Sequence, residues 1–549
     1  MDYNIIMEKQ VRRNGKRVCK RFPDRNVTLT YAELEEKSRR TAAWLQTQGF
    51  QKGDVLAVWM GNVPEYIILM AAALRNGCIF VPLSIYESTA QIEAMCTESG
   101  AGLLIYDSGN NYVKKQLTAK ALSADLYAMD VAGFSDLVRT DSLAAEAKHP
   151  LRCELDMHDS VMILYTSGST GKKKGICKNS AAVLGKRGLA SGYIRLMDAV
   201  QRIRRMRVYN LCPWYHNTGM MLQMLMLMGL NFEEVTMEQY NPATVAKCLQ
   251  EFRPVIWLGT ASMLYRCCIV PEAQFALPVA IISTGEALSE HIAKKFQEMP
   301  GGGILYSGYG TTEAGGIAGA CYRFRNTTPW IRLILWTIKK INMIQGVWEI
   351  GTVSASTDGI LLGHISKMVS VLICDPESGC AVEDGMSGEI CVATSRAMTG
   401  YVADDAMDIY VKHDGQIYLK TGDLGFKKDN ILYLTGRQKQ MILRSGENII
   451  PHEIECEAEV FPGVGAAIAC GIPSEAYGED ICLCVEISGE PPEQDELVAH
   501  LSGKLPKYMV PQYILYWTDF PLTNTGKLDR KALKTEAEAR ISAMKQGKA

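Results

Sequence analysis

The chain has 549 residues, with 58 basic and 60 acidic side chains and a formal net charge of −2. This length exceeds what one hydrophobic core usually serves, so several domains are expected. The balanced charge lacks the basic excess of nucleic-acid-binding proteins, so no nucleic acid is expected as a partner. No apolar run approaches the roughly 18 residues of a membrane-spanning helix, which argues against an integral membrane protein.

The cysteines and the N-terminal segment indicate a reducing compartment. The 17 cysteines form no C-x-x-C pairs and no Cys/His groups at zinc spacing, so they are interpreted as free thiols. The segment 1–20 carries scattered charges and lacks the apolar core of a secretory signal. A cytoplasmic location is therefore expected, with peripheral membrane contact kept as an alternative.

Helices and strands alternate through roughly the first 400 residues. An amphipathic pattern that stops at a glycine predicts a helix over Thr30–Gly49. A strand is expected over Val55–Met60, a helix over 64–76, and another strand over Cys78–Val81 that ends at Pro82. This alternation favours a layered α/β architecture with largely parallel sheets.

The pattern changes toward the C-terminus. Between Gly388 and Tyr433, short β-prone pieces separated by turns predict a small β subdomain. A second α/β unit begins near Gln440. Its predicted elements are a helix over Pro451–Glu457, strands over Val464–Cys470 and Ile481–Ile487, and a basic tail that is expected to be mobile. The predicted domains are a large N-terminal domain, 1–438, and a small α+β domain, 439–549.

The segment Tyr165–Gly175 reads YTSGSTGKKKG and combines glycines, hydroxyl side chains and three lysines. It follows a β-prone run, Ser160–Leu164, and precedes a helix-compatible run, Ser180–Leu184. Such a loop suits phosphate, because glycines let backbone N–H groups point inward while hydroxyl and ammonium groups donate. The spacing fits neither the G-x-x-x-x-G-K-[ST] loop nor a G-x-S-x-G elbow, and a flexible surface loop is the alternative.

Four further segments occur in a fixed order along the chain. They are YSGYGTTE (306–313), KTGDLG (420–425), GRQKQMILRSGENIIPHEIE (436–455) and PLTNTGKL (521–528). Together with the 165–175 loop, they resemble the motifs of the adenylate-forming superfamily in order and approximate separation. That superfamily comprises acyl-CoA synthetases, adenylation domains of peptide synthetases and firefly luciferase. The resemblance covers nearly the whole chain.

This resemblance implies a fold, a reaction and a set of ligands. The fold would be a large N-terminal domain of layered parallel α/β subdomains with a small β subdomain, followed by a small mobile C-terminal domain. The reaction would activate a carboxylic acid with ATP and Mg²⁺ and transfer the acyl group to coenzyme A. The residues that the resemblance assigns to ATP are Thr166, Ser167, Gly168, Ser169, Thr170, Gly171, Lys174, Gly285, Glu286, Ala287, Tyr309, Gly310, Thr311, Thr312, Asp423 and Arg437.

The family pattern also implies individual roles within this set. Thr166–Gly171 and Lys174 would surround the β- and γ-phosphates. The family usually has a proline before that lysine, whereas this chain has Lys173, so a looser loop with more charge is expected.

Roles around the nucleotide follow from the same pattern. Glu313 would bind Mg²⁺, since a carboxylate is a hard oxygen ligand. Tyr309 would lie against adenine, with 285–287 on the other side of the base. Asp423 would accept hydrogen bonds from both ribose hydroxyls, and Arg437 would assist there. Taken alone, an aspartate in such a turn is more often a turn former than a ligand.

The C-terminal domain would supply the catalytic lysine. By resemblance, Lys527 would bridge the carboxylate and the α-phosphate as negative charge develops. Lys439 lies where the family has its hinge, about which the small domain would swing to admit coenzyme A. The residues assigned to the coenzyme A side are Ser445, Gly446, Glu447 and Asn448.

The acid itself is constrained only by the segment PWYHNTG (213–219) and the run that follows it. His216 is a candidate near the acceptor carboxylate, although a single histidine beside an apolar run is more often packed in a core. The run GMMLQMLMLMGL (219–230) would form either a core helix or a wall of the acid pocket. No aspartate lies between His216 and Leu230, which argues against an α-amino acid and favours a fatty, aryl or sterol-like acid.

The segment Thr328–Gly346 has no evident counterpart in the family pattern. It predicts a helix with a threonine N-cap and a proline at its first position. Three interpretations stay open: a core helix, a lid over the acyl channel, or an interfacial membrane anchor. The expected activity is an acid–CoA ligase. Loading of a carrier protein, or binding of nucleotide and acyl ligands without turnover, are the alternatives.

Overall fold

The computed structural model describes most of the chain in three sheets and the helices that cover them. The described residues are 3–138, 153–167, 173–184, 206–271, 277–286, 288, 292–293, 295–296, 299–300, 302–323, 359–403, 409–445, 447–474, 476–523 and 527–546. The segment 328–346 and its predicted helix therefore lie outside the described residues. None of the helices in these ranges is long and apolar enough to cross a membrane.

One sheet of seven strands contains the segment that enters the predicted phosphate loop. Five of its strands are mutually parallel, and the last two are antiparallel to their neighbours. In spatial order the strands are Ala128–Asp130, Ala101–Tyr106, Val55–Trp59, Ile79–Leu83, Ser160–Ser167, Lys173–Asn179 and Gly400–Tyr401.

A second sheet of fourteen strands begins with a parallel series that is edged by one antiparallel strand, Val27–Thr30. The parallel strands are Val18–Phe22, Glu233–Thr236, Arg207–Asn210, Ile256–Gly259, Ala280–Thr284 and Ile304–Thr311. The sheet then continues as antiparallel strands, Gly315–Arg323, Ile360–Ile365, Ile431–Arg437, Gln416–Lys428, Gly388–Thr394 and Val369–Cys374, with Tyr410–His413 beside Gln416–Lys428. The strands predicted for the small β subdomain are thus present, and they extend the large sheet.

The helices of the first 300 residues begin and end where local chemistry favours it. Thr30 caps the helix Tyr31–Thr47 in a capping box with Glu33, as the predicted helix start requires. The predicted helix over 64–76 is also found, with Pro64 in its first turn and Gly77 as a left-handed C-cap. The other helices are Tyr3–Asn14, Thr89–Ser99, Asn111–Ala119, Val131–Val138, Ser180–Leu184, Asn217–Leu227, Pro242–Phe252 and Ala261–Ile269.

The prediction that a strand ends at Pro82 is wrong. The strand Ile79–Leu83 runs through the proline, which lies opposite Val58 on the neighbouring strand. On its other side the described pairing joins Phe80 to Met162, short of the proline. A proline that lacks an N–H therefore costs little here, because its fixed φ suits extended backbone and pairing on that edge has already ended.

The third sheet belongs to the C-terminal part of the chain and is covered on both faces. Its strands are Glu447–Ile449, Ile442–Arg444, Gly478–Ile487, Val464–Ser474 and Tyr513–Trp517. Among their described pairings, only that of Gly478–Ile487 with Tyr513–Trp517 is parallel. The helices Pro451–Glu459 and Gln494–Lys504 share one core with this sheet, and Arg530–Gln546 shares the core on the opposite face. The predicted small C-terminal domain is confirmed, while the boundary at 438/439 stays a prediction.

The tail that was expected to be mobile is instead the helix Arg530–Gln546. Leu533, Ala537 and Ile541 are its buried residues, and they recur every four positions on one face. The high charge of this segment hides the apolar stripe, which is the feature that holds the helix on the sheet.

Candidate active site

The predicted phosphate loop joins two antiparallel strands, Ser160–Ser167 and Lys173–Asn179. Thr166 lies opposite Lys174, and Ser167 lies opposite Lys173. The four residues at the tip, Gly168, Ser169, Thr170 and Gly171, lie outside the described residues. The strand Ser160–Ser167 enters this loop at its carboxyl end, the edge of a parallel sheet at which ligands of open α/β sheets bind.

Two cations lie at the loop end of this hairpin. Lys173, which replaces the usual proline, forms an ion pair with Glu87, with 2.8 Å between Nζ and Oε1. Lys174 Nζ lies 4.9 Å from the ring centre of Tyr401, within the range of a cation–π contact. The ion pair with Glu87 therefore holds Lys173 at the start of the second strand. The sequence suggests only that replacing proline by Lys173 loosens the loop, and it gives no sign of this ion pair.

Asp423 joins two other predicted ligands of the nucleotide. It lies directly opposite Arg437 on the next strand, and Arg437 Nε is 2.7 Å from Asp423 Oδ1. The hydroxyl of Tyr309 donates to Asp423 Oδ2 over 2.7 Å. Burial and the neighbouring carboxylate hold the pKa of Tyr309 well above its ordinary value. The three residues, predicted from three separate motifs, meet in one hydrogen-bonded group.

The YGTTE motif forms the turn of a hairpin. Gly310 and Thr311 pair with Gly316 and Gly315, and Thr312 and Glu313 lie at the turn. The carbonyl of Glu313 accepts hydrogen bonds from Met398 N at 2.6 Å and from Lys178 Nζ at 3.1 Å. These contacts fix the backbone at the residue predicted to bind magnesium.

Lys178 is a site residue that sequence reasoning missed. Its ammonium is buried and also donates to the carbonyl of Arg396 over 3.0 Å. Burial lowers its pKa to about 8, which nearby Glu313 partly offsets. The sequence gives little signal for it, because the strand Lys173–Asn179 reads KKGICKN and Lys178 is one of three lysines in it.

The segment that contains Gly285 and Glu286 meets the C-terminal domain. Gly285 has φ +91°, and a Cβ at this position would lie 3.3 Å from Cε of Lys527. Glu286 accepts a hydrogen bond from Ser262 N at 2.5 Å, at the start of the helix Ala261–Ile269. Its pKa is raised because its carboxyl group is buried. Glu286 therefore supports a helix N-terminus beside the predicted adenine site, while Ala287 lies outside the described residues.

Lys527 reaches the N-terminal domain in this structure. Its backbone N–H donates to Thr523 Oγ1 at 3.1 Å, and its carbonyl accepts from Thr523 N at 2.6 Å. Nearby, Arg266 of the N-terminal domain donates to the carbonyl of Phe520 at 2.9 Å. Burial, then Arg437, lowers the pKa of the Lys527 ammonium, and Glu286 opposes this shift. The catalytic lysine predicted from the C-terminal motif thus joins the group around Asp423.

His216 stands at the beginning of the helix Asn217–Leu227. Its Nε2 atom is buried and has no hydrogen-bond partner among the described residues. Burial, together with the charges of Lys527 and Lys173, lowers its pKa to about 3. A buried imidazole nitrogen without a partner is available to a ligand, and at neutral pH it is uncharged.

The low pKa of His216 predicts an acid-sensitive contribution to stability. Unfolded His216 protonates below its ordinary pKa of about 6.5, whereas folded His216 stays neutral down to about pH 3. The unfolded state then binds more protons, so stability falls as the pH drops through this window, by at most about 1.4 kcal/mol per pH unit.

Thermal unfolding of the wild type and His216→Asn between pH 7 and pH 4 measures this effect. We expect the variant to lose less stability on acidification than the wild type. His158→Asn, at an exposed histidine, is the matched control and should follow the wild type. Parallel curves for the wild type and His216→Asn would contradict the expectation.

Three of the residues predicted for the hinge and the coenzyme A side, Lys439, Ser445 and Glu447, lie on the surface. Lys439 is exposed in the turn Gln438–Gln440. Ser445 has φ +53°, its N–H donates to the carbonyl of Tyr477 at 2.9 Å, and Glu447 is exposed. Asn448 lies in the strand Glu447–Ile449, and Gly446 is outside the described residues.

Comparison with known proteins identifies the family. A model of AMP-binding enzymes matches residues 7–402, and a model of the AMP-binding enzyme C-terminal domain matches residues 453–527. The chain is 25% identical to the putative acyl-CoA synthetase YngI of Bacillus subtilis (strain 168), over 93% of each chain. It is also 25% identical to a feruloyl-CoA synthase of Amycolatopsis sp., over 94% of each chain.

Solved structures share the fold at lower identity. ATP-bound MatB from Rhodopseudomonas palustris superposes with a TM-score of 0.76 at 19% identity, covering 98% of this chain and 99% of that one. The anthranilate CoA ligase AuaEII in complex with anthranoyl-AMP has a TM-score of 0.75 at 17% identity, covering 99% and 98%. The predicted α/β fold and the predicted resemblance are both confirmed. The chain belongs to the AMP-binding enzyme family of the adenylate-forming superfamily.

Proposed function

We propose that this protein is an ATP-dependent acid–CoA ligase. It joins a largely apolar carboxylic acid, of the fatty, aryl or sterol-like class, to AMP with release of pyrophosphate, and then forms the CoA thioester and AMP. The observation that carries the proposal is the approach of Lys527, from the C-terminal domain, to Gly285 and to the charges of Arg437 and Glu286. The names of relatives such as the feruloyl-CoA synthase support the same reaction class.

The first half-reaction brings two anions together. A carboxylate oxygen attacks the α-phosphorus of ATP, and the bond to pyrophosphate breaks as negative charge shifts to the leaving group. Lys527 faces this charge with a partly desolvated ammonium, which stabilises the transition state more than it would in water. Asp423 accepts hydrogen bonds from the ribose hydroxyls. Arg437 and Tyr309 hold the two carboxylate oxygens of Asp423 in place.

The residues near the phosphates suit a magnesium ion. The carboxylate of Glu313 is a hard oxygen ligand, and Thr311 and Thr312 supply hydroxyl groups beside it. When bound with ATP, the ion neutralises phosphate charge. Lys178 fixes the backbone of Glu313 so that the carboxylate starts from a defined position.

The second half-reaction uses another face of the C-terminal domain. Around the 445–448 turn, Leu443 is 56% exposed, Tyr477 49% and Tyr508 47%. Arg444 lies between the two tyrosines, with its guanidinium 4.9 Å from the ring centre of Tyr477 and its Nη1 donating to the carbonyl of Tyr508. Apolar side chains around a cation suit a pantetheine arm that ends in phosphates, once the domain has turned about Lys439.

The preference for an apolar acid rests on the helix Asn217–Leu227. Met220, Met224 and other residues of this helix are buried in the main core, which favours the core interpretation for that face. Met221 and Leu225, four positions apart, are 49% and 37% exposed. An exposed apolar face on the helix that begins after His216 suits the alkyl or aryl part of an acid, and methionine adapts to varied shapes.

A panel of fatty, aromatic, bile-type and amino acids tests the proposal. With ATP and Mg²⁺, we expect pyrophosphate release that depends on the apolar acids, and AMP release that further requires CoA, with no carrier protein present. A response to α-amino acids alone would overturn the substrate class. Acyl transfer only with an added carrier protein would favour that acceptor. Failure to exchange pyrophosphate with any acid would indicate a binding protein without turnover.

A further inference from the structure

Three cysteines that belong to none of the sequence motifs converge in the C-terminal domain. The sulfur atoms of Cys470, Cys482 and Cys484 all lie within 4.8 Å of one another. Cys470 lies directly opposite Cys482 on the adjacent antiparallel strand, and Cys484 follows two positions later on the same face. The sheet register therefore builds a three-thiol cluster from two strands.

The cluster lies between the sheet and the helix Arg530–Gln546. Cys482 and Cys484 are fully buried in the core that this helix covers, and Cys470 is only partly buried at its margin. Two thiols are thus shielded from water, while a small ion can reach the third, Cys470, from solvent.

Two cations of the covering helix Arg530–Gln546, Arg530 and Lys534, interact electrostatically with the Cys470 thiol. Arg530 is held by Glu455, with Nη1 and Nη2 at 2.6 and 2.9 Å from the two carboxylate oxygens. Such cations offset negative charge on thiolates before and after a metal binds.

We propose that Cys470, Cys482 and Cys484 form a three-thiolate site for a soft monovalent metal ion of the copper(I) class. Thiolates are the ligands that copper(I) prefers. Three sulfurs around an ion at about 2.3 Å would be separated by about 4 Å, close to the spacing already present. On binding, each thiol releases its proton to solvent as its sulfur coordinates the ion, and no electron is transferred.

The donor set distinguishes copper(I) from zinc. Structural zinc takes four protein ligands in a tetrahedral arrangement. Among the described residues, no histidine, aspartate or glutamate joins the three cysteines as a fourth ligand. Three thiolates and a monovalent ion carry a net charge of −2, and the two cations of the covering helix, Lys534 and Arg530, are each shared with a carboxylate, Glu479 and Glu455. Trigonal coordination of a soft ion therefore fits these residues better than tetrahedral zinc.

The test titrates the reduced, full-length protein with copper(I) under anaerobic conditions, in competition with bicinchoninate. Copper(I) lost from the coloured chelator complex gives the number of ions that each chain removes, and ultraviolet thiolate-to-copper absorption reports the ligands. Cys470→Ser, at the partly buried position, is expected to take up one copper(I) ion fewer per chain than the wild type and to lose the matching absorption. Cys380→Ser, at an exposed cysteine elsewhere, is the matched control and should titrate like the wild type.

Further measurements keep the result interpretable. Thermal unfolding of Cys470→Ser without metal shows whether the domain still folds, and zinc with a chromogenic chelator is the comparison ion. Equal copper(I) uptake by the wild type and a folded Cys470→Ser would overturn the proposal, as would tighter binding of zinc. A purified protein whose intact mass is two hydrogens low, with Cys470 disulfide-linked and no copper(I) uptake after mild reduction, would also overturn it.

Discussion

Lys527→Ala is expected to slow the adenylate-forming half-reaction by about 10²–10³-fold, the usual cost of removing one preorganised donor from a developing negative charge. The ammonium is partly desolvated and lies beside Gly285, so water cannot replace it without entering the site. Acid-dependent exchange of pyrophosphate into ATP measures this half-reaction directly.

The same variant should retain thioester formation from preformed acyl-AMP and CoA, because that step follows withdrawal of Lys527 from the site. Lys531→Ala, at an exposed lysine of the following helix, is the matched control and should leave both half-reactions within about twofold of the wild type. Equal loss of both half-reactions in Lys527→Ala would count against a mechanism in which each half-reaction uses a different orientation of the C-terminal domain.

Lys439→Pro should have the opposite effect. A proline fixes φ near −65°, a value that the turn Gln438–Gln440 can accommodate, so the variant should hold the orientation in which Lys527 reaches the N-terminal domain. Pyrophosphate exchange should stay near the wild-type rate. Thioester formation from preformed acyl-AMP should fall by about 10²-fold, since the acceptor face would be misplaced by far more than 1 Å.

Lys439→Ala separates rigidity from loss of the side chain. Alanine removes the same ammonium but leaves φ free, so both half-reactions should persist. If Lys439→Ala loses thioester formation as severely as Lys439→Pro, the side chain rather than the turn is required, and the hinge interpretation fails.

Much of the candidate site could be predicted because its residues occur in short, ordered motifs. Asp423 and Arg437 come from neighbouring strands, so their contact follows once the hairpin is recognised. Tyr309 and Lys527 come from distant segments, and only the shared order of motifs indicated that they would meet. The chemical role of each residue could be predicted from its own motif, whereas the prediction that these residues meet in one site depended on the family resemblance.

Features that depend on register or tertiary packing could not be predicted. Cys470 and Cys482 face each other through strand pairing that no spacing rule describes. Lys178 appears in sequence as one more lysine of a basic run, although its ammonium is buried against two carbonyls. The C-terminal helix was missed because its charged residues outweigh the stripe of Leu533, Ala537 and Ile541.

The short strand Gly400–Tyr401 has a consequence for synthesis of the chain. It covers the outer edge of Lys173–Asn179, the strand that leaves the phosphate hairpin, yet the ribosome makes it long afterwards. Until then that edge presents unpaired backbone groups to other nascent chains. Charged side chains on a strand edge discourage strand addition, and Lys173, Lys174 and Lys178 place positive charge along this strand, so we expect them to limit such pairing before residues 400–401 are made.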